Sequence, residues 1–265
     1  MLPYSRQHIS KKDIIAVNSV LKSNFITQGK IVPKFEKKFV KIVKCKYAVA
    51  TNNATSALHI ACLALGLKKG DYLWTVSNSF VASANCGKYC GALVDFVDID
   101  KNTFNICCKD LHKKLIIAKK NKKLPKILVV VHLAGLPAKM KTIKQLAKKF
   151  NFKIIEDASH ALGAKIYKQP VGSCKFSDIA VFSFHAVKMI TTGEGGIAST
   201  NSAALDKKMR LFREHGIERK KFKNKKNIYK WYYEQQLLGY NYRMSDINAA
   251  LGLSQLSRLK LILQK

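Results

Sequence analysis

The chain has 265 residues, is 48% hydrophobic and 24% charged, and carries only five prolines and fourteen glycines. That composition holds enough apolar matter for a real core and excludes a disordered or collagen-like chain. Lysine and arginine number 48 against 16 acids, a net charge of +32, but 42 of the 48 are lysines spread along the chain. The rigid guanidinium fork that reads nucleic acid is therefore scarce, and the excess reads as a solvated surface whose field would speed an anionic substrate.

In chain order, a short helical pattern, KKDIIAVNSVLKS, and the turn-like TQGK fill residues 1–30. Apolar, β-rich runs follow at 46–51, 72–77, 93–99, 126–133, 152–159, 178–184 and 196–200. Several are continuous rather than alternating, as in strands buried on both faces of a mainly parallel sheet. Helical patterns lie between and after them at 55–65, 80–90, 111–120, 140–150, 203–214 and 244–264. The alternation predicts an α/β fold with helices on both faces of a mainly parallel, seven-stranded sheet. The segment 218–230 is the most basic and reads as a surface loop. The last helix runs to the terminus without a cap, so the chain reads as cut inside a helix.

No run approaches the roughly 20 apolar residues that span a bilayer, and the start MLPYSRQHIS has no apolar core of a secretory signal. Seven cysteines, at 45, 62, 86, 90, 107, 108 and 174, form no CxxC pair. A reduced, cytoplasmic protein is expected.

In an open α/β sheet, ligands sit beyond the carboxyl ends of the strands. The first strand leads into TNNATSALH, where hydroxyls and helix-start N–H groups suit a phosphate, though ordinary helix capping gives the same pattern. No G-x-G-x-x-G follows the first strand, and no G-x-x-x-x-G-K-[ST] occurs, which counts against dinucleotide and Walker-type sites. The fifth strand ends in EDASHALG and presents Glu156, Asp157, Ser159 and His160. Asp157, leaving an apolar run, would be partly desolvated and need a cationic partner. The sixth strand ends in FSFHAVKMITTGEGG, which gathers Ser183, His185 and Lys188 before a glycine-rich turn.

Those parts suit pyridoxal phosphate. The cofactor needs a lysine to hold it, an acid at its pyridine nitrogen, hydroxyl and N–H groups for its phosphate, and a flat side chain such as Phe80 over its ring.

The strings YSRQ, TQGK, NNATSALH, FVASAN, EDASHALGA, FSFHAVKMITTGEGG, REHGI and LGYNYRMSDINAALGLSQL resemble, in order, those of DegT/StrS-type nucleotide-sugar aminotransferases. The resemblance covers essentially the whole chain and implies three parts: 1–30 as an N-terminal segment belonging to a small domain, 31–243 as a cofactor-binding large domain, and 244–265 as the start of a linker helix to a C-terminal small domain that is expected to lie beyond this sequence. It implies a fold-type-I, pyridoxal 5'-phosphate-dependent homodimer that takes an amino group from glutamate. The YSRQ opening and the form of the lysine motif resemble the subgroup that aminates C4 of a UDP-4-keto-6-deoxy-N-acetylhexosamine in pseudaminic acid biosynthesis. Another hexose or nucleotide within the family is one alternative, and a non-catalytic basic binding protein is the other.

By the resemblance, Lys188 is the cofactor lysine and Asp157 its pyridinium partner. Thr55, Ser56 and Ser183 bind the phosphate, Phe80 covers the ring, and His160 sits beside the ring oxygen. Asn241 reaches the phosphate across the dimer interface, and Tyr4, His185 and Arg243 contact the substrate. Two departures are local: Ala186 stands where the family has a proline, and Ser77–Asn78–Ser79 precede Phe80 where another proline is usual. His59, His112, Cys86 and Cys90 match no family role and read as structural.

Overall fold

A computed structural model describes residues 5–218 and 232–264. Tyr4 and nearly all of the basic segment 218–230 lie outside the described residues.

Helices α1 (Lys11–Leu21) and α2 (Ile31–Val43) precede strand β1 (Tyr47–Thr51). Then come α3 (Ala54–Ala64), β2 (Tyr72–Val76), α4 (Ala82–Tyr89), β3 (Leu93–Val97), α5 (Cys108–Lys120) and β4 (Ile127–Val131). After a short 3-10 turn at Leu133–Gly135 follow α6 (Met140–Phe150), β5 (Lys153–Asp157) and a two-residue hairpin, β6 (Lys165–Ile166) and β7 (Gln169–Pro170). Strands β8 (Ile179–Ser183) and β9 (Gly196–Thr200) lead to α7 (Ala203–Arg213). A second small hairpin, β10 (Ile217–Glu218) with β11 (Glu234–Gln235), precedes α8 (Asp246–Ser257) and α9 (Leu259–Ile262).

All seven runs anticipated from the sequence join one sheet, in the order β1-β9-β8-β5-β4-β2-β3. β9 runs antiparallel to both neighbours and the other pairings are parallel. The sheet is a two-sided partition. In β4, Leu128 and Val130 join a core with Phe35 and Phe39 of α2, Leu111 and Leu115 of α5 and Ile143 of α6. Ile127 and Val129 face the other core, with Leu58 and Cys62 of α3, Cys86 of α4 and Met209 of α7. Burial on both faces is why these strands read as unbroken apolar runs. Helix α6 shows the complementary pattern: Met140, Ile143, Leu146, Ala147 and Phe150 are buried and lysines fill its outer face.

Three features extend the sequence reading. Helix α2 was not anticipated as an element. Its buried Glu36 accepts from Ala50 N–H (2.9 Å), Arg213 (2.9 Å) and Arg210 (3.0 Å), tying α2 to β1 and α7. The single helix expected over 244–264 is interrupted at Arg258, which caps α8 and starts α9. Its Leu256 and Leu259 are buried in the core, while Leu263 remains exposed. Finally, α1 lies on α8: Asp13 accepts from Ser254 (2.6 Å) and Gln255 (3.2 Å) and pairs with Arg258. Burial raises the Asp13 pKa, yet hydrogen bonds from Ser254 and Ser10 outweigh it and hold the carboxyl below its ordinary range.

Candidate active site

The carboxyl ends of β5 and β8 and the start of α3 surround a cavity of about 670 Å³. From the floor, Asp157 ends β5, and its carboxylate is fully engaged from one side. Ser83 of α4 donates to Oδ2 (2.6 Å), and Ser159 donates its backbone N–H (3.2 Å) and hydroxyl (2.6 Å) to Oδ1. Within the chain, the hydrogen-bond partners of the carboxylate are these hydroxyl and amide dipoles. Such donors keep a buried carboxylate oriented.

Lys188 lies on the turn after β8. Its Nζ is 2.8 Å from His160 Nε2. Burial lowers the Lys188 pKa below its ordinary value, and the Asp157 charge opposes that only in part. Burial also lowers His160, the lysine charge adds to it, and Asp157 pulls the other way. An amine so placed gives up its proton more readily than a surface lysine.

The turn carrying Lys188 is stitched at many points. Lys188 N–H donates to His185 C=O (2.9 Å), Thr192 N–H to Phe184 C=O (2.9 Å), and Asn248 of α8 to Thr192 C=O (2.6 Å). The glycine run ends in Gly196, directly beneath the start of α3. A Cβ there would lie 2.5 Å from Ala54 N, so only glycine lets β9 pass under that helix. On α3, Asn53 caps by accepting from Ser56 N–H (2.8 Å), and the first N–H groups of the helix have no intrahelical acceptor.

Of the anticipated residues, Thr55, Phe80, Asp157, His160, Ser183, His185 and Lys188 all line this cavity. Phe80 is 75% exposed, a large ring held on the cavity wall with little over it. Ser56 is buried and does not line it; Asn53 and Ala54 do. Asn241 and Arg243 are not in its wall either: Asn241 is exposed and its backbone bridges Glu214. Sequence reasoning missed Asn53, Ser83 and His132. Asn53 and Ser83 lay within quoted strings, NNATSALH and FVASAN, without a role assigned, but nothing local marks His132.

A second cavity of about 630 Å³ shares Leu133, Ser159, His160 and Lys188 with the first and adds Arg6 and His8. Gln255, buried on α8, fastens that side: its amide donates to His8 C=O (3.0 Å) while its oxygen accepts from Thr191 N–H (3.2 Å).

A family model described as the DegT/DnrJ/EryC1/StrS aminotransferase family matches residues 7–265. The chain belongs to that family. It is 42% identical over all 265 residues to the UDP-4-amino-4,6-dideoxy-N-acetyl-beta-L-altrosamine transaminase of Campylobacter jejuni subsp. jejuni serotype O:23/36 (strain 81-176), covering 66% of that protein. Its fold matches PseC of Helicobacter pylori, an aminotransferase in the biosynthesis of pseudoaminic acid, at a TM-score of 0.87 and 36% identity, over 98% of this chain and 66% of that one. The putative sugar aminotransferase Spr1654 of Streptococcus pneumoniae, solved in a PLP form, matches at a TM-score of 0.85 and 28% identity, over 99% of this chain and 68% of that one. The chain thus spans just under two thirds of the length of the curated relatives it matches. Among the described residues no helix is long and apolar enough to cross a membrane.

Proposed function

We propose that this chain is the cofactor-binding part of a pyridoxal-phosphate-dependent nucleotide-sugar aminotransferase, which moves an amino group from glutamate to C4 of a UDP-4-keto-6-deoxy-N-acetylhexosamine. The observation that carries the reading is the amine of Lys188, with its lowered pKa, in one cavity with a carboxylate oriented by three donors.

The residues fit the cofactor. Asp157 has acceptor capacity left to hold a protonated ring nitrogen, and Phe80 offers the exposed flat face that would cover the ring. The start of α3, with Thr55 and Ser183, would take the phosphate on hydroxyls and helix N–H groups, and the missing side chain of Gly196 lets β9 pass close beneath that cradle without displacing it. When bound, pyridoxal phosphate supplies an electron sink for the carbon next to the transferred nitrogen. Lys188 supplies the amine that holds the cofactor and, once released from it, accepts and returns a proton at Nζ. Its lowered pKa raises the neutral fraction that can do so. His160, 2.8 Å away, holds that amine at the cavity wall. His185, which lines the same cavity, would meet substrate there; its Nε2 is 3.7 Å from Glu194.

Under the same reading the protein works as a homodimer, with Asn241 acting across the interface. Support for this is that Asn241 is exposed and outside its own chain's cavity. Sedimentation of the chain with and without Asn241→Ala, beside cofactor titration, tests it.

The deciding experiment is borohydride reduction after incubation with pyridoxal phosphate, followed by peptide mapping. The reduced adduct is expected on Lys188 and lost in Lys188→Ala; an adduct retained at another lysine in that variant overturns the assignment. Amination of different nucleotide keto-sugars, at the expense of glutamate, then identifies the acceptor.

A further inference from the structure

Between β4 and α6 the chain makes a tight turn, residues 133–138, whose first residue, Leu133, walls the cavity that Lys188 and His160 also line. Leu133 lines both cavities, beside the lysine. The turn is in an unusual backbone state: Ala134 has φ 50° and Gly135 φ 85°. Gly135 lies so close to the next element that a Cβ on it would be 2.8 Å from His160 C=O. A loop in the left-handed region persists only when its surroundings over-determine it.

Two buried side chains do so. Asn105, 4% exposed, accepts from Leu133 N–H (3.0 Å) and donates to Leu136 C=O (2.9 Å), closing the turn from the β3–α5 side. His132, fully buried, accepts from Ala138 N–H at Nδ1 (3.2 Å). A backbone N–H can only donate, so the ring carries its proton on Nε2, and that proton goes to Glu156 (2.8 Å). Glu156 is further held by Ser177. The backbone N–H of His132 donates to Asp157 C=O (3.1 Å). The same residue therefore ties the turn to the strand that carries Asp157.

We propose that Asn105 and His132 are positioning residues: together they clamp the 133–138 turn so that Leu133 closes the wall around the Lys188 amine and Gly135 packs against the backbone of His160 beside it. Neither touches Lys188, and neither is marked by any local sequence pattern. Their effect passes through exclusion of water. A turn released from either clamp swings from the wall and hydrates the amine. Burial is the main cause of the lowered Lys188 pKa, so hydration moves that pKa upward. The other charged and titratable groups lining the two cavities around the amine are Asp157, His160, His185, Glu194, Arg6 and His8, and none of them is substituted in these variants.

The inference rests on the proposed function only in taking Lys188 as the amine that matters, and it is tested without cofactor or substrate. The chain is acetylated with limiting acetic anhydride across a pH series, and the Lys188 peptide is quantified by mass spectrometry against surface lysines. Asn105→Ala and His132→Gln should shift the Lys188 profile upward, toward that of the surface lysines. Gln can reach Glu156 but leaves Ala138 N–H without its acceptor. His132→Asn puts an amide oxygen near the Nδ1 position and should restore the wild-type profile, even though it loses the Glu156 contact. Thermal melts of the same variants separate positioning from stability. His132→Asn and His132→Gln destabilised alike, but differing in the Lys188 profile, is the expected result. An unchanged Lys188 profile in folded Asn105→Ala and His132→Gln overturns the proposal, as does a profile that follows thermal stability across all three. Loss of the borohydride adduct at Lys188 would count against the proposed function alone.

Discussion

Ser83, in the first turn of α4, donates its hydroxyl to Asp157 Oδ2 at 2.6 Å, so a helix residue and a strand end 74 positions apart share one hydrogen bond. That bond, with the two from Ser159, turns the carboxylate toward the cavity. Its charge is also what keeps the Lys188 pKa from falling further. Removing the charge while keeping the shape, as in Asp157→Asn, should therefore shift the Lys188 acetylation profile to lower pH than in the wild type. Glutamate-dependent transamination should collapse in the same variant, because the ring nitrogen loses its anionic partner. A profile moved to higher pH would show that the two groups are not coupled as the geometry implies.

The space beneath α3 is the second testable feature. Gly196→Ala places a methyl 2.5 Å from Ala54 N, and the neighbouring atoms are backbone that cannot swing aside. Overpacking of this kind costs about 1–3 kcal/mol. The helix start is also the expected phosphate cradle, so pyridoxal phosphate affinity should fall by more than the loss of stability explains. Absorbance titration beside urea unfolding checks this, and unchanged affinity would separate the cradle from the phosphate.

Glu36 is the buried acid on which α2, β1 and α7 converge. Glu36→Ala leaves Arg213 and Arg210 without their shared partner and Ala50 N–H unsatisfied. Breaking a buried pair in this way costs about 3–5 kcal/mol. Glu36→Gln should cost less, since its amide oxygen still accepts from one donor. Denaturant midpoints of the two variants give the comparison.

Cys90 is the thiol to watch. A hydrogen bond from Cys62 lowers its pKa to about 6 against the effect of burial, with His59 adding to the shift. Cys45 is pushed up to about 11 by burial, and Cys174 is raised further still. The thiolate is the nucleophile, so near neutral pH iodoacetamide should label Cys90 before Cys45 and Cys174. His59→Ala should slow that labelling by raising the Cys90 pKa. Equal labelling of Cys90 and Cys45 would contradict the placement of His59 and Cys62 beside it. His59 and Cys90, which read as purely structural from sequence, are thus linked electrostatically as well as by packing.

The primary sequence by itself determined the material of this protein. Strands such as ILVVV at 127–131 are apolar on every residue because both sheet faces are covered, and that burial is written into local composition. The strand-end motifs carrying Asp157, Ser183 and Lys188 were legible for a related reason. In an α/β sheet chemistry sits where an apolar run stops, and that place can be found without knowing strand order. Tertiary structure alone decided the rest. The antiparallel insertion of β9 between β1 and β8 depends on long-range pairing, to which a five-residue run is indifferent. Helix α2 had its signal, with Val32, Phe35, Phe39 and Val43 buried along one face, but the lysines between them hid the spacing. Asn105, Ser83 and His132 look like ordinary polar residues until the fold sets them beside partners 24 to 74 positions away. A hydrogen bond's value is created by burial and by the group it meets, and neither is a property of the residue alone.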